Sequence, residues 1–374
     1  MRDLRELLIA FDRTCASGEH AALATVVRVV GSAYRRPGAR MLLAPDGTRV
    51  GLVSGGCLEA DLAERARPVL ETGRATTVTY DARTDEDLIF GLGLGCEGLV
   101  EVLLERVPER RDGGHLALLE RVIQERVRMA LATVFRSGGR VPIGSRFWLV
   151  EGEVGSGDFA DDRLAEDLGR AADAVLGSSR HQNVTLQASD GPVEALIELV
   201  TPFPELVILG AGRDARPLVH FANELGFEVT VVDHRPAFAQ AEFFPGAKRV
   251  LVCEASHLLA LVGIDPECAV VVMSHAYGHD RGSLAQLLGR PLRYLGMLGP
   301  RRRTERLLDE LAAEGIVATP EERASIHAPV GLDIGAETPE EIALSILAEI
   351  RAVLVGRCGG SLRDRALPIH GEAS

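Results

Sequence analysis

Leu206-Val207-Ile208-Leu209-Gly210-Ala211-Gly212-Arg213-Asp214-Ala215 is the stretch that decides the fold of the second half of this chain. Four consecutive apolar residues read as a strand buried on both faces, as in a parallel sheet. The Gly-x-Gly-x-x-Ala turn that follows opens a helix running to Leu225. A second apolar strand, Phe227 to Val232, ends in Asp233, about 20 residues beyond the glycines, the spacing of the dinucleotide fingerprint. In that fingerprint the N–H groups at the helix start receive phosphate and the acid takes a ribose hydroxyl.

Working outward, strands are predicted at Arg249–Val252, Ala269–Met273 and Arg293–Leu298, alternating with helices at Ser256–Val262, from Gly282, and at Arg303–Ala313. Thr338-Pro339-Glu340-Glu341 is a capping box with proline at the first helical position; its helix buries Ile342, Ile346, Leu347, Ile350 and Val353. Strand and helix in alternation make a Rossmann-like, doubly wound parallel sheet. Open α/β sheets bind ligands at the carboxyl ends of their strands. The candidates there are Gly210, Gly212, Arg213, Asp233, Ser274, His275, Arg301 and Arg302. Arginines at a helix start oppose the dipole unless an anion binds, so Arg301, Arg302 and Arg303 favour phosphate recognition. His275 suits an acid/base or a hydrogen-bond anchor, and His234-Arg235 leaves NAD against NADP open. No metal cage or Ser-His-Asp set is visible.

Thr201-Pro202-Phe203-Pro204 marks the expected domain boundary, since proline ends a strand and stiffens a linker. The organisation read from it is an N-terminal α/β domain at 1–200, the Rossmann-like domain at 205–356 and a tail at 357–374. In the first half, a helix at 2–14 precedes strands at Ala22–Val30, Met41–Leu43 and Arg49–Val53. The last delivers the chain to Val53-Ser54-Gly55-Gly56-Cys57-Leu58-Glu59, where a helix begins that runs to Leu70. Glycine there permits positive φ and close approach of a ligand, and a thiol at a helix start feels the positive end of the dipole. Gly91-Leu92-Gly93-Leu94-Gly95-Cys96-Glu97 is a second such turn, between strands at Thr76–Tyr80 and Leu99–Leu104. Arg35, Arg36 and Arg40 lie on a basic loop suited to an anionic ligand near the Cys57 turn. From 108 to 201 the pattern is weaker: helices at Leu116–Gln124 and Asp162–Leu176, strands at Met129–Phe135, Phe147–Val150 and Glu194–Val200, and no chemistry. No internal repeat is evident.

With 46% hydrophobic and 25% charged residues the 374-residue chain is ordinary globular protein, long enough for two cores. A net charge of −13 argues against nucleic-acid binding, which needs clustered Lys and Arg, and 4% aromatics argue against base-stacking platforms. The six cysteines are scattered without a CxxC pair, so neither a disulfide framework nor a zinc pattern is present. The charged, helical start is not a signal peptide, and no run of about 18 apolar residues exists. A cytoplasmic location is expected.

Gly31-Ser32 with Pro37-Gly38-Ala39, then Val53 to Glu59, then Gly93-Leu94-Gly95-Cys96, together resemble the amino-terminal region of the XdhC/CoxI family. Tyr34 and Glu97 depart from that pattern. In the second half Gly210 to Arg213, Ser274-His275, Gly296 to Arg303 and His327 to Gly335 are similar to the family's carboxy-terminal domain. The resemblance implies an accessory protein of molybdenum hydroxylases such as xanthine dehydrogenase and carbon monoxide dehydrogenase. Such a protein binds the molybdenum cofactor as cargo, protects it while a cysteine desulfurase supplies the terminal sulfido ligand, and inserts it into the apo-enzyme, acting as a homodimer. Molybdopterin carries a terminal phosphate and a dithiolene-bound metal. Gly210 and Gly212, or the arginines including Arg36, suit the phosphate; a soft thiol such as Cys57, beside Gly55 and Gly56, or Cys96 suits the metal. Two other readings compete: an NAD(P)-dependent oxidoreductase on the Rossmann half, and a scaffold whose nucleotide site is vestigial. No residue set resembles a hydride-transfer site, so cofactor handling is favoured over enzyme activity.

Overall fold

The computed structural model describes residues 2–83, 98–107, 114–178 and 180–365. The chain divides into two compact units, Met1–Pro202 and Phe203–Ser374. Among the described residues no helix is long and apolar enough to cross a membrane.

The first unit runs α1 (Arg2–Ser17), β1 (Ala22–Gly31), β2 (Arg40–Leu43), β3 (Arg49–Gly51), α2 (Glu59–Thr72), β4 (Thr76–Asp81) and β5 (Gly98–Arg106). It then repeats the same series: α3 (His115–Glu125), β6 (Met129–Ser137), β7 (Arg146–Val150), β8 (Ser156–Gly157), α4 (Asp162–Ser178), β9 (Gln182–Ala188) and β10 (Gly191–Val200). Each series makes one antiparallel sheet, in the orders β3-β2-β1-β5-β4 and β8-β7-β6-β10-β9. The unit is therefore an internal structural duplication, which corrects the expectation of no repeat. Strand alternation assigns the faces. Ala22, Ala24 and Val26 pack under α2 with Leu62, Ala66 and Val69, while Ala130, Ala132 and Val134 pack under α4 with Leu164, Leu168 and Val175. The opposite faces meet across Val27, Leu103, Phe135 and Leu196.

Polar bonds between the two sheets come in reciprocal pairs. Arg28 of β1 reaches Glu194 of β10 at 2.7 Å, and Arg136 of β6 reaches Glu101 of β5. Arg40 pairs with Glu198, and Arg146 with Glu105 at 2.6 Å. Thr77 Oγ1 donates to the Phe135 carbonyl at 2.6 Å, and Asn183 Nδ2 to the Val27 carbonyl at 2.8 Å. Arg40 and Arg146 thus take their counter-charge from the other copy, while Arg28 and Arg136 each lie between a glutamate of their own copy, at 3.7 and 3.5 Å, and one of the other.

The second unit comprises β11 (Glu205–Leu209), α5 (Ala215–Glu224), β12 (Glu228–Asp233), β13 (Arg249–Val252), α6 (Leu258–Val262), β14 (Ala269–Val272), α7 (Tyr277–Leu287), β15 (Tyr294–Met297), α8 (Arg301–Ala313), α9 (Pro320–Ser325), β16 (Ile326–His327) and α10 (Pro339–Leu354). Its six strands are parallel in the order β13-β12-β11-β14-β15-β16. Leu206, Ile208, Val229 and Val231 pack on α5 and α10, and Val207, Leu209, Val270 and Val272 pack on α6, α7 and α8. The sheet is doubly wound, as read from the sequence. The strand order reverses between β11 and β14, and the crevice opens there.

Candidate functional site

In the first unit the turn between β3 and α2 is clamped from beneath by one carboxylate. Glu59 is 6% exposed and accepts hydrogen bonds from the Ser54 N–H (2.8 Å), the Ser54 hydroxyl (2.5 Å) and the Leu58 N–H (3.1 Å). Ser54 Oγ in turn accepts from the N–H groups of Gly56 and Leu58, each at 3.1 Å. Burial raises the Glu59 pKa, but the bonds from Ser54 and Leu58 outweigh it and hold the carboxyl below its ordinary 4.5. Gly56 has φ +109°, a conformation that an L side chain adopts only under strain. The clamp turns the polar groups inward and leaves Cys57 exposed, its Sγ 3.6 Å from Ser54 Oγ. Beside it lies a small hollow bordered by Tyr34, Arg35, Gly55, Tyr80 and Gly98. This role of Glu59 was not read from the sequence. Cys96, in the second glycine turn, lies outside the described residues.

The basic loop divides. Arg36 is exposed and Arg35 borders the Cys57 hollow. Arg40, expected to face an anion, instead turns between the sheets onto Glu198 and the Gly38 carbonyl. Strand alternation explains it: Arg40 shares a face with Leu42, which belongs to the layer between the sheets.

In the second unit the structure brings Gly210, Asp233, Ser274 and His275 together at the crevice. Gly210 has φ +137°, and a Cβ there would stand 2.5 Å from the Met273 carbonyl oxygen, so only glycine fits. Asp233 does not present a free carboxylate. It is fully buried, accepting from the Ala211 N–H at 2.8 Å and from the Arg235 N–H, Nε and Nη2 at 2.9, 2.9 and 2.8 Å. Burial would raise its pKa, but Arg235 and the Ala211 N–H outweigh it and push the group down to about 2. The acid expected to hold a ribose is thus committed to the glycine turn and to Arg235. The carboxylate of Asp214 lies over Gly212 and pairs with His275 Nε2 at 2.7 Å. His275 is exposed and sits at φ +60°, uncommon for a residue with a side chain. Ser274 is buried and donates to Asp280, which also receives Arg303 at 2.7 Å. Of the arginine run, Arg303 is therefore structural, Arg301 pairs with Glu305 at 3.4 Å, and Arg302, like Arg213, is exposed. A stacked pair, His234 over His279 with ring centroids 4.3 Å apart, was not read from the sequence. Glu205, Asp265 and Cys268 cluster at the amino-terminal edge of the sheet, away from the crevice. Burial there pushes the Cys268 thiol up, so it stays protonated and donates to Glu205 at 3.2 Å.

Residues 14–81 match the XdhC and CoxI family, and residues 206–350 match the XdhC Rossmann domain. The chain is 35% identical over 332 residues to a Bacillus subtilis protein named as a probable xanthine dehydrogenase subunit, covering 89% of this chain and 92% of that one. It is 26% identical over 351 residues to the Escherichia coli molybdenum cofactor insertion chaperone PaoD, covering 94% and 89%. A crystal structure described as a xanthine dehydrogenase from Bacillus halodurans superposes with a TM-score of 0.76 at 30% identity, over 97% of this chain and 98% of that one. This chain belongs to the XdhC and CoxI family.

Proposed function

We propose that this protein binds the molybdenum cofactor in the cytoplasm, guards it while a cysteine desulfurase acts on it, and delivers it to a xanthine dehydrogenase-type apo-enzyme, working as a homodimer. The observation that carries the reading is the clamped turn. Ser54 and Glu59 spend their hydrogen bonds on holding the backbone, and the side chain exposed at the turn is that of Cys57, with its soft sulfur. Thiol and thiolate sulfur suit a soft metal centre, and Gly55 and Gly56 leave room beside it. The likeness to a cofactor insertion chaperone over 94% of the chain supports the same role. Exposed Arg213, Arg302 and His275 at the Rossmann crevice form a second candidate surface for an anionic group.

The oxidoreductase reading is not favoured. Asp233 is closed by Arg235 and Ala211, so the crevice lacks the free acid that takes a ribose hydroxyl. Purification from cofactor-producing cells, followed by assay of bound pterin, molybdenum and NAD(P)H, tests the choice. Pterin and molybdenum in stoichiometric amounts are expected; stoichiometric pyridine nucleotide without pterin would overturn the reading.

A further inference from the structure

The internal duplication supplies a control for the basic loop. The connection from β1 to β2 and that from β6 to β7 have the same backbone. Gly38 and Gly144, at φ +90° and +92°, each donate an N–H at 2.8 Å to the preceding strand, to Val26 and Val134. One residue on, the Ala39 N–H reaches the Arg36 carbonyl at 3.0 Å and the Ser145 N–H reaches the Pro142 carbonyl at 3.1 Å. Arg40 and Arg146 then each bond a glycine carbonyl, of Gly38 and Gly144, and a glutamate of the other copy.

This correspondence fixes which residues occupy the same place. Arg36 matches Pro142, and Arg35 matches Val141. Because Thr77 and Asn183 make the same bond to the facing strand, His181 matches Ala75. At each of the three positions the counterpart in the other copy is apolar, so neither the loop nor the sheet needs a charge there to fold. Arg35 and Arg36 are additions to the first copy, and His181 to the second.

Arg35 and His181 meet at a cavity of about 360 Å³, lined also by Arg40, Glu198, Thr201 and Leu7. That volume lies in the range of small-molecule sites. Leu4 in the first turn of α1 also lines it, which brings the positive end of a 16-residue helix to its wall. Burial and then the charge of Arg36 push His181 below its ordinary 6.5, against the pull of Glu198. The charge of Arg36 thus works against a proton on His181 and would favour an anion beside it. Arg35 borders this cavity and also the hollow at Cys57, so the two sites meet at one side chain.

We propose that the cavity behind the Arg35–Arg40 loop is an anion subsite that seats the phosphate of a phosphorylated pterin whose other end reaches Cys57. This rests on the cofactor-binding reading above. The probes are a fluorescent phosphorylated pterin and the same compound after phosphatase treatment, titrated into the full chain and followed by anisotropy. A preference for the phosphorylated form of about tenfold or more is expected, the scale of one or two charge-assisted hydrogen bonds. Arg35→Val and His181→Ala, each the residue that the other copy already carries at that place, should fold normally and reduce the preference to about twofold or less, while Cys57→Ala retains it. Equal binding of both pterins by the wild type, or a preference untouched by Arg35→Val and His181→Ala, overturns the subsite and leaves the cofactor reading standing. Loss of the preference in Arg302→Ala but not in Arg35→Val would move the phosphate to the Rossmann crevice and likewise overturn it. Binding of neither pterin would sink both.

Discussion

Replacing Glu59 by alanine takes away the acceptor of three hydrogen bonds at once. The Ser54 N–H loses its partner inside a site that is 6% exposed, the Ser54 hydroxyl must turn elsewhere, and the Leu58 N–H keeps only Ser54 Oγ. A buried donor left unsatisfied costs about 1–3 kcal/mol, and the lost carboxylate in the first turn of α2 adds roughly 0.5 kcal/mol. The sum is roughly 1.5–3.5 kcal/mol. For a unit of about 200 residues each kcal/mol moves Tm by about 2–4 °C, so a fall of roughly 3–14 °C is expected at pH 7. Because the folded carboxyl titrates below its ordinary 4.5, its contribution is complete above that value and is lost as pH falls through the folded pKa. The wild-type and Glu59→Ala curves of Tm against pH should therefore converge at acid pH. Calorimetry across pH, with the rate of Cys57 alkylation by iodoacetamide read in parallel, checks both halves of the argument. A Tm change under about 2 °C together with an unchanged alkylation rate would refute the clamp.

Cys57→Ala should leave Tm within about 1 °C, since the side chain is exposed, while the protein loses retained molybdenum and fails to mature its partner enzyme; normal maturation would make Cys57 an ordinary surface residue. Glu105→Ala strands Arg146 between the sheets and should destabilise the first unit by about 3–5 kcal/mol in urea unfolding, whereas Glu105→Met with Arg146→Met should recover most of that loss.

The Rossmann half was legible because its central strands β11, β12 and β14 are buried on both faces and so read as apolar runs. β16 was not, since two residues, Ile326 and His327, carry no periodicity. In the first unit β9 was missed for a related reason: only Ala188 of its seven residues is buried, so Gln182, Asn183 and Thr185 read as loop. The duplication was invisible because the two copies share pattern and hydrogen bonding rather than motifs, and their pairs link residues as far apart as Arg28 and Glu194. At the site, Ser54 to Glu59 announced itself through its glycines and cysteine. What joined Glu59 to Ser54 was a fold-dependent contact five residues apart, which no helical or strand period points to. Arg40 was readable in principle, since alternation with Leu42 places it inward, but the local density of arginines drew attention to the surface instead. Asp233 sat at the expected spacing, and its closure by Arg235 two residues on is a local bend that spacing alone does not encode.

The reciprocal ion pairs also govern how the first unit comes together. A lone copy would carry Arg40 or Arg146 into the layer between the sheets without its glutamate, at a cost of several kcal/mol each. Neither half is then expected to be a stable intermediate, and folding of the first unit should be a single cooperative event that waits for the last strand, β10, which brings Glu198. During synthesis Arg40, in the layer between the sheets, is expected to stay without its glutamate until that strand has left the ribosome.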